Sequence, residues 1–286
     1  EVKPVSMAVS GRVRVGRGDE ATPQNSIAVG PFMLNQTSKP AGEQTIVRFA
    51  YNDTHLFVTF RCWESALNPV ENRLHEFKSE VTADDDTDIY DDDCVLLLVK
   101  PDSEGDTAYD FVANAAGALL DAQCTAPDYW GSRRFEWDSN ATVTSSRDEE
   151  GWTLRMAIPF ESLGFRPEPG ARLYVMAGRM QAARQEASSW QVLSRGFHEN
   201  TFGELILDEE VPALSVTDLP AFTPGTNRLA FNMPVAIEIS IRHGDELRRH
   251  FHVGTEMQFL LPEGELDFRF TAGRPGDLAL YYESPF

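Results

Sequence analysis

Positive charge and long hydrophobic runs are scarce in this sequence. The chain has 45 acidic residues against 25 Lys and Arg, which gives a formal net charge of −20. Nucleic acid and anionic membrane surfaces are therefore disfavoured as partners, because phosphate groups would be repelled. No apolar run approaches the roughly 18 residues that a transmembrane helix needs, so membrane insertion is not expected.

Cysteine is also scarce, with only Cys62, Cys94 and Cys124 in 286 residues. The number is odd, and the three lack CxxC spacing or a companion histidine pattern, so a zinc site is disfavoured. Cys62 and Cys94 each lie at the junction of an apolar strand. Two interpretations stay open: buried thiols that pack like small hydrophobic residues, or a Cys62–Cys94 disulfide, which would suit an exported protein.

Common catalytic and nucleotide-binding motifs are absent as well. The sequence has no GxSxG elbow, no HExxH, no P-loop and no GxGxxG. A glycosidase needs two carboxylates roughly 5 to 10 Å apart, which a chain this acidic would satisfy somewhere by chance. We therefore expect a protein that is not an enzyme, while a hydrolase stays the least favoured alternative.

What the chain does contain is alternation of apolar and polar residues with period two, which predicts an all-β fold. Residues 45–51 and 55–63 alternate on either side of an Asn-Asp-Thr turn and predict a hairpin. Six successive apolar residues, 94–99, predict an interior strand covered on both faces. Only 159–165 and 68–80 have room for helical turns.

A change of composition near residue 208 predicts two structural units. Residues 209–226 carry three prolines and few apolar runs, which is typical of a linker. Residues 227–286 contain short alternating segments at turn-spaced intervals and predict a small immunoglobulin-like β domain. Residues 1–208 form the larger unit.

Five elements within about residues 25–208 resemble, in order, those of the family 9 carbohydrate-binding modules. They are TIVRFAYNDTHLFVTFRC, DIYDDDCVLLLV, YDFVANAAG, GWTLRMAIPFESLG and SSWQVLSRGFHENTFGELIL. Five elements in the right order are more specific than any one of them. The resemblance implies that residues 1–208 form a two-sheet, jelly-roll-like β-sandwich that binds sugars without cleaving them and accompanies polysaccharide-degrading enzymes.

The resemblance also implies a binding site. A pyranose ring has an apolar face of C–H groups and a rim of hydroxyls, and in that family two aromatic side chains sandwich it. Carried onto this chain, the aromatics are Tyr90 and Trp190, and Asn114 is the matching polar contact. Leu96 stands where the family often has an acidic side chain on the sugar-facing side of the strand, and Val112 stands where it often has Arg.

Four further residues are candidates for ligand contact. Tyr129 and Trp130 lie in a loop bounded by Pro and Gly, where strand periodicity does not explain two aromatic residues. Arg179, at the end of a strand, could reach a hydroxyl rim or pair with the acidic surface. His198 is either a polar contact or a structural residue.

Seven of the ten residues at positions 84–93 are aspartates. Crowded carboxylates repel one another, so they must face water or a cation. Structural calcium, a solvated loop and a catalytic carboxylate pair are the alternatives. The metal-ligand candidates are Asp86, Asp88, Asp91 and Asp92.

These observations predict a secreted, cell-surface or periplasmic protein that binds a glycan or polysaccharide and acts as an accessory in polysaccharide degradation. An associated glycoside hydrolase is the further partner that the resemblance implies. The competing hypothesis is a structural or interaction β-sandwich that has lost its sugar pocket, which Leu96 and Val112 make credible.

Overall fold

The computed structural model describes residues 7–22, 26, 28–29, 32–36, 41, 43, 45–64, 67–68, 73–74, 78–148, 151–182, 184–190, 193, 197, 200–209, 216–218, 225–243, 246–261, 267–273 and 280–285. Throughout these ranges the regular structure is β-strand, apart from one 3₁₀ turn at Thr87–Asp91. The all-β prediction is confirmed. No helix in the described ranges is long and apolar enough to cross a membrane.

The strands are numbered in chain order. They are β1 (Ala8–Arg17), β2 (Ala28–Val29), β3 (Met33–Leu34), β4 (Thr45–Tyr51), β5 (His55–Trp63), β6 (Leu67–Asn68), β7 (Arg73–Leu74), β8 (Cys94–Lys100), β9 (Thr107–Asn114), β10 (Leu119–Thr125), β11 (Thr142–Asp148), β12 (Gly151–Pro159), β13 (Arg172–Gln181), β14 (Glu186–Ser189), β15 (Thr201–Leu207), β16 (Val216–Asp218), β17 (Gly225–His243), β18 (Glu246–Leu261), β19 (Asp267–Gly273) and β20 (Leu280–Pro285).

A large, nearly closed sheet contains the first part of the chain. Its order is β10-β9-β8-β13-β15-β1-β4-β5-β12-β11, with β2, β3 and β14 at its sides. Strand β1 joins the two halves, because it runs parallel to β15 along most of its length and parallel to β4 at its end. The predicted hairpin is β4 and β5, which pair antiparallel from Thr45 opposite Cys62 to Tyr51 opposite Leu56.

One hydrophobic cluster fills the concave side of this sheet, and we call it the main core. It takes alternate residues from both halves, because a strand presents every second side chain to the same face. Strands at opposite ends of the order therefore share one core, which requires the sheet to curl. Buried members include Leu56, Val58, Phe60, Val95, Leu97, Val99, Trp152, Leu154 and Met156.

Strand β8 confirms the predicted interior strand, since all seven of its residues are buried between β9 and β13. Val95, Leu97 and Val99 point into the main core. Leu96 and Leu98 point the other way, into two smaller clusters on what we call the outer face of the sheet. Covering layers on both sides explain why six successive residues can be apolar.

A smaller sheet holds the last part of the chain, in the order β16-β17-β19-β20 with β18 also paired to β17. The short alternating segments of the sequence merge here into long strands. A register shift between Ala230 and Val235 interrupts the pairing of β17 with β18. The immunoglobulin-like form and the boundaries of this unit stay predictions.

The three cysteines are buried free thiols, which is the first of the two interpretations offered by the sequence. Burial raises the pKa of the Cys62 thiol to about 11, although nearby Arg179 opposes this rise. Burial also raises the pKa of Cys124, to about 12. The predicted helical turns at 159–165 are a set of tight turns after β12, and much of 68–80 lies outside the described residues.

Candidate functional site

The outer face of strands β8, β9, β10 and β13 is covered by two stretches of chain. We call residues 78–93 the acidic segment and residues 126–139 the aromatic loop. The acidic segment contributes Val81 and Ile89 to one outer cluster, and the aromatic loop contributes Tyr129 to the other. Phe197 packs against both clusters. The outer face is thus a second apolar surface with its own covering layer.

A cleft opens on this face beside the aromatic loop. Its enclosed volume is about 20 Å³, which is room for roughly one water molecule. A ligand larger than water would therefore rest on the rim of the cleft and not inside it. The lining residues are Leu96, Leu98, Asp110, Tyr129, Trp130, Arg133, Met176 and Phe197.

Phe197 closes one side of the cleft by lying over Gly178 of β13. A Cβ atom built on Gly178 would come 2.1 Å from the Phe197 ring, which is far inside contact distance. The position therefore needs glycine so that the ring can approach the strand.

The aromatic loop is fastened to the sheet at several points. The Thr125 N–H donates to Ser132 Oγ at 2.7 Å, and that hydroxyl donates back to the Thr125 carbonyl at 2.8 Å. The buried Tyr129 hydroxyl donates to Asn200 Oδ1 at 3.1 Å. At the end of the loop, Asp121 of β10 accepts from both the backbone N–H and the hydroxyl of Ser139. These bonds fix the loop that carries Trp130.

Arg133 is the centre of the site. Its Nε donates to Asp110 Oδ2 at 2.6 Å, and its Nη2 contacts the same carboxylate oxygen. The guanidinium carbon lies 3.5 Å from the centroid of the Trp130 ring and 5.2 Å from that of Tyr90. Both distances are within the range of cation–π attraction. The two aromatic rings are themselves 5.0 Å apart, centroid to centroid, and tilted by 53°.

Burial governs the titration of the polar groups around Arg133. It raises the pKa of Asp110, while the Arg133 guanidinium opposes that rise. Burial, with a smaller contribution from Asp110, also raises the pKa of Tyr90, so its hydroxyl stays protonated. That hydroxyl is buried and finds no hydrogen-bond partner among the described residues. A bound hydroxyl or water would satisfy it.

Asn114 lies beneath the acidic segment, away from solvent. Its amide nitrogen donates to the Val81 carbonyl at 2.7 Å and to Asp92 Oδ2 at 2.9 Å. Its amide oxygen accepts from the N–H groups of Ala116 and Ala118 at 3.1 and 3.0 Å. The side chain is fully buried, and these four bonds use all of its hydrogen-bonding capacity. In this structure Asn114 holds the turn after β9.

The buried aspartates of the acidic segment also bond to backbone. Asp92 accepts from the N–H groups of Glu80 and Val81 at 3.1 and 3.0 Å. Asp93 accepts from Lys78 N–H at 2.8 Å and from Ala182 N–H at 3.1 Å. These two carboxylates fasten the segment to the sheet.

The other metal-ligand candidates do not gather around one point. Asp86 caps the 3₁₀ turn by accepting from Asp88 N–H at 2.9 Å. Asp88 and Asp91 are exposed. Within the described ranges, no group of three or more His, Cys, Asp and Glu side chains is placed to hold a metal ion. The calcium site stays a prediction.

Arg179 faces the main core, on the opposite side of β13 from the cleft. Its Nη1 donates to the Trp63 carbonyl at 3.0 Å and to Thr45 Oγ1 at 3.2 Å, and its Nη2 binds Glu64. Gln181 Nε2 donates to the second oxygen of Glu64 at 2.5 Å. Arg179 is thus the cation of a buried polar network, and its guanidinium does not reach the cleft.

Trp190 also lies apart from the cleft. Its backbone N–H donates to the Ala177 carbonyl at 3.0 Å, and its half-buried ring packs against the main core. Met176, the preceding residue of β13, points to the outer face and lines the cleft. The aromatic neighbour of Tyr90 is Trp130 and not Trp190. His198 lies outside the described residues, so its predicted role stays open.

Sequence reasoning named Tyr90, Tyr129 and Trp130 but missed Asp110 and Arg133. A signal for the pair was present: Asp110 is an acidic residue inside an otherwise apolar strand, and a buried carboxylate needs a cationic or hydrogen-bonding partner. Which of the basic residues supplies that partner is not readable from the pattern. Met176 and Phe197, which also line the cleft, were not among the predicted site residues.

Comparison with known proteins supports the fold. No family model and no curated protein sequence match the chain. A proposed carbohydrate-binding protein from Bacteroides uniformis is similar in structure, with a TM-score of 0.54 at 16% identity over 69% of this chain and 99% of that one. This similarity shows a shared fold.

Two structures of a family 9 carbohydrate-binding module from Caldicellulosiruptor kristjanssonii also match. The one in complex with cellotriose has a TM-score of 0.43 at 13% identity over 73% of this chain and 100% of that one. The one in complex with glucose has a TM-score of 0.43 at 14% identity over 72% of this chain and 100% of that one.

Proposed function

We propose that this protein binds glycans without cleaving them, and that Trp130 is the main contact. The observation that carries the proposal is the placement of this ring. Trp130 is 37% exposed, at the mouth of a cleft on the outer face, and Arg133 and Tyr90 brace it. An indole ring that is fixed in place and partly exposed offers a flat apolar surface on which the C–H face of a sugar ring can stack.

The position of the cleft supports the same function. Leu96 lines it, and the sequence resemblance puts Leu96 on the sugar-facing side of its strand. The buried Tyr90 hydroxyl offers a hydrogen-bonding group beside the platform. Because the enclosed space is small, we infer that a glycan stacks on the rim of the cleft as an open surface site.

The finer parts of the proposal rest on the sequence analysis: on the family resemblance for the larger unit and on the short alternating segments for the smaller one. We infer a two-sheet, jelly-roll-like sandwich for the larger unit and an immunoglobulin-like sandwich for the smaller one. We also infer a secreted, cell-surface or periplasmic protein that accompanies a glycoside hydrolase. The shared fold with the Bacteroides uniformis protein is compatible with these inferences.

One observation favours a second function, in which the same face binds a protein partner. Leu96, Leu98 and Met176 make much of the cleft lining apolar. Acidic or amide side chains that could fix a hydroxyl rim are few there. An interaction protein that kept the scaffold and lost the sugar pocket would have this lining.

The test is a glycan array followed by calorimetric titration of the wild type and Trp130→Ala. Loss of a stacking contact worth about 0.5 to 1.5 kcal/mol should weaken binding roughly 2- to 13-fold, with little change in melting temperature. Phe135→Ala is the matched control, because Phe135 is 40% exposed in the same loop but does not line the cleft. Its affinity should equal that of the wild type.

Trp190→Ala sharpens the assignment of the site. Because the Trp190 ring packs against the main core, we expect this variant to melt at a lower temperature and to keep its affinity when folded. Loss of affinity in Trp190→Ala but not in Trp130→Ala would place the site at the position that the resemblance implies. If the wild type binds no glycan on a broad array, the interaction protein is favoured. Release of reducing sugar from a polysaccharide would identify a hydrolase.

A further inference from the structure

We propose that Asp110 is a positioning and specificity-determining residue, whose carboxylate holds the Arg133 guanidinium against Trp130 and cancels its charge at the cleft. This inference rests on the proposed function, since it makes Asp110 the residue that sets the shape and charge of the glycan site. It does not depend on the sugar being known.

The first support is the rigidity of the strand that carries Asp110. Asp110 lies in β9 between Leu98 of β8 and Ala122 of β10, with backbone pairing on both sides. Arg133, by contrast, comes from the aromatic loop. A side chain on a central strand is a fixed point, so the carboxylate sets where the guanidinium lies.

The second support is the burial of the pair. The side chains of Asp110 and Arg133 are only 7% and 8% exposed. An arginine cannot lose its proton in a protein, so a buried guanidinium needs a permanent counter-charge. Arg133 is the charged neighbour that acts on Asp110, which makes the two a matched pair.

The third support is what the pair touches. The guanidinium carbon is 3.5 Å from the Trp130 ring centroid, so any displacement of Arg133 changes the support of the platform. With Asp110 ionised, the cleft presents no net charge from this pair. Without it, the same cleft would present a cation beside Trp130. Asp110 therefore decides whether a carboxylated sugar is attracted to the site.

Iodide quenching of Trp130 fluorescence tests this inference without a known sugar. The Trp130 contribution is the difference between each protein and its Trp130→Phe counterpart, and neutral acrylamide measures exposure alone. In Asp110→Asn the freed guanidinium should attract iodide, raising the ratio of iodide to acrylamide quenching roughly two-fold or more. A role confined to packing would raise both constants together and leave the ratio unchanged.

Glu204→Gln is the matched control. Glu204 is a buried carboxylate paired with Arg172 on neighbouring strands β15 and β13, and it does not line the cleft. Its replacement changes the net charge by the same amount, so the ratio for Trp130 should stay at the wild-type value. If Asp110→Asn does not fold, Asp110→Ser replaces it, because the smaller side chain admits water to solvate the guanidinium.

Binding of cellotetraose and of a tetrameric β-1,4-glucuronate completes the test. Asp110→Asn should gain measurable, salt-sensitive affinity for the glucuronate, and the wild type should not. An unchanged quenching ratio, or equal glucuronate affinity in the two folded proteins, would overturn the inference even if the wild type binds glycans. If the wild type binds no glycan but the ratio rises, the proposed function fails while the charge-cancelling role of Asp110 stands.

Discussion

The acidic segment and the aromatic loop cover the same face of the large sheet, and buried carboxylates fasten both. In the acidic segment these carboxylates, Asp92 and Asp93, belong to the segment itself and accept backbone N–H bonds. In the aromatic loop they belong to the strands: Asp110 binds Arg133 on the outer face, and Asp121, which pairs with the main-core residue Phe111, binds Ser139 on the opposite face.

This difference in how the two regions are fastened indicates where a ligand site can form. Asp92 and Asp93 are buried, and both oxygens of each accept a backbone N–H, so these two carboxylates are directed to the chain and close it onto the sheet. The aromatic loop is fastened from below, which leaves Trp130 partly exposed. Two carboxylates in the densest run of charge are thus structural, while the candidate site uses Asp110 and Arg133, which lie outside that run.

The largest expected effect is on the acidic segment. Asp92→Ala removes the acceptor for Glu80 N–H, Val81 N–H and the Asn114 amide. The Val81 N–H and the Asn114 amide are buried donors, and each costs about 1 to 3 kcal/mol when left without a partner, so we expect a loss of about 2 kcal/mol or more in the free energy of unfolding by urea. Asp91→Ala, at an exposed neighbour, should stay within about 0.5 kcal/mol of the wild type. Similar values for both would mean that Asp92 does not fasten the segment.

A smaller effect is expected where Asp121 fastens the aromatic loop, because it comes from the titration of one buried carboxyl group. Burial raises its pKa, although the hydrogen bonds from Ser139 oppose this. The native state then holds the proton more tightly than the unfolded state, so stability from this group falls as the pH rises from the ordinary value of 3.8 through the raised pKa. Asp121→Asn cannot titrate.

Urea unfolding at several pH values between 4 and 7 checks this sign. The wild type should lose stability relative to Asp121→Asn as the pH rises. If the wild type gains relative stability instead, the carboxylate is stabilised in its ionised form, and the contrast between the two regions would need revision.

The smallest effect is expected from removal of divalent cations. Asp92 and Asp93 already bond to backbone, and the described carboxylates do not form a ligand set. We therefore expect calorimetric melting curves with and without chelator to coincide. A lower melting temperature in chelator, restored by calcium, would show that the acidic segment binds a cation and would reverse the comparison.

Much of the fold could be predicted from the sequence, because alternation is a local pattern. The interior position of β8 followed from six successive apolar residues, and the hairpin of β4 and β5 from its turn. The candidate site was harder. Tyr129 and Trp130 were identified because strand periodicity did not explain them, whereas Asp110 looked like part of an apolar strand.

The sequence by itself determined the all-β class and the interior strand, since each depends on the polarity of successive residues. Only the tertiary structure decided which aromatic residue lies beside Tyr90. A strand turns alternate side chains to opposite faces, and the register that places Trp190 beside Ala177 directs its ring to the main core. Arg133 reaches Asp110 from 23 residues away because the aromatic loop folds back over the sheet. Such a contact depends on how the loop packs, which no local pattern encodes.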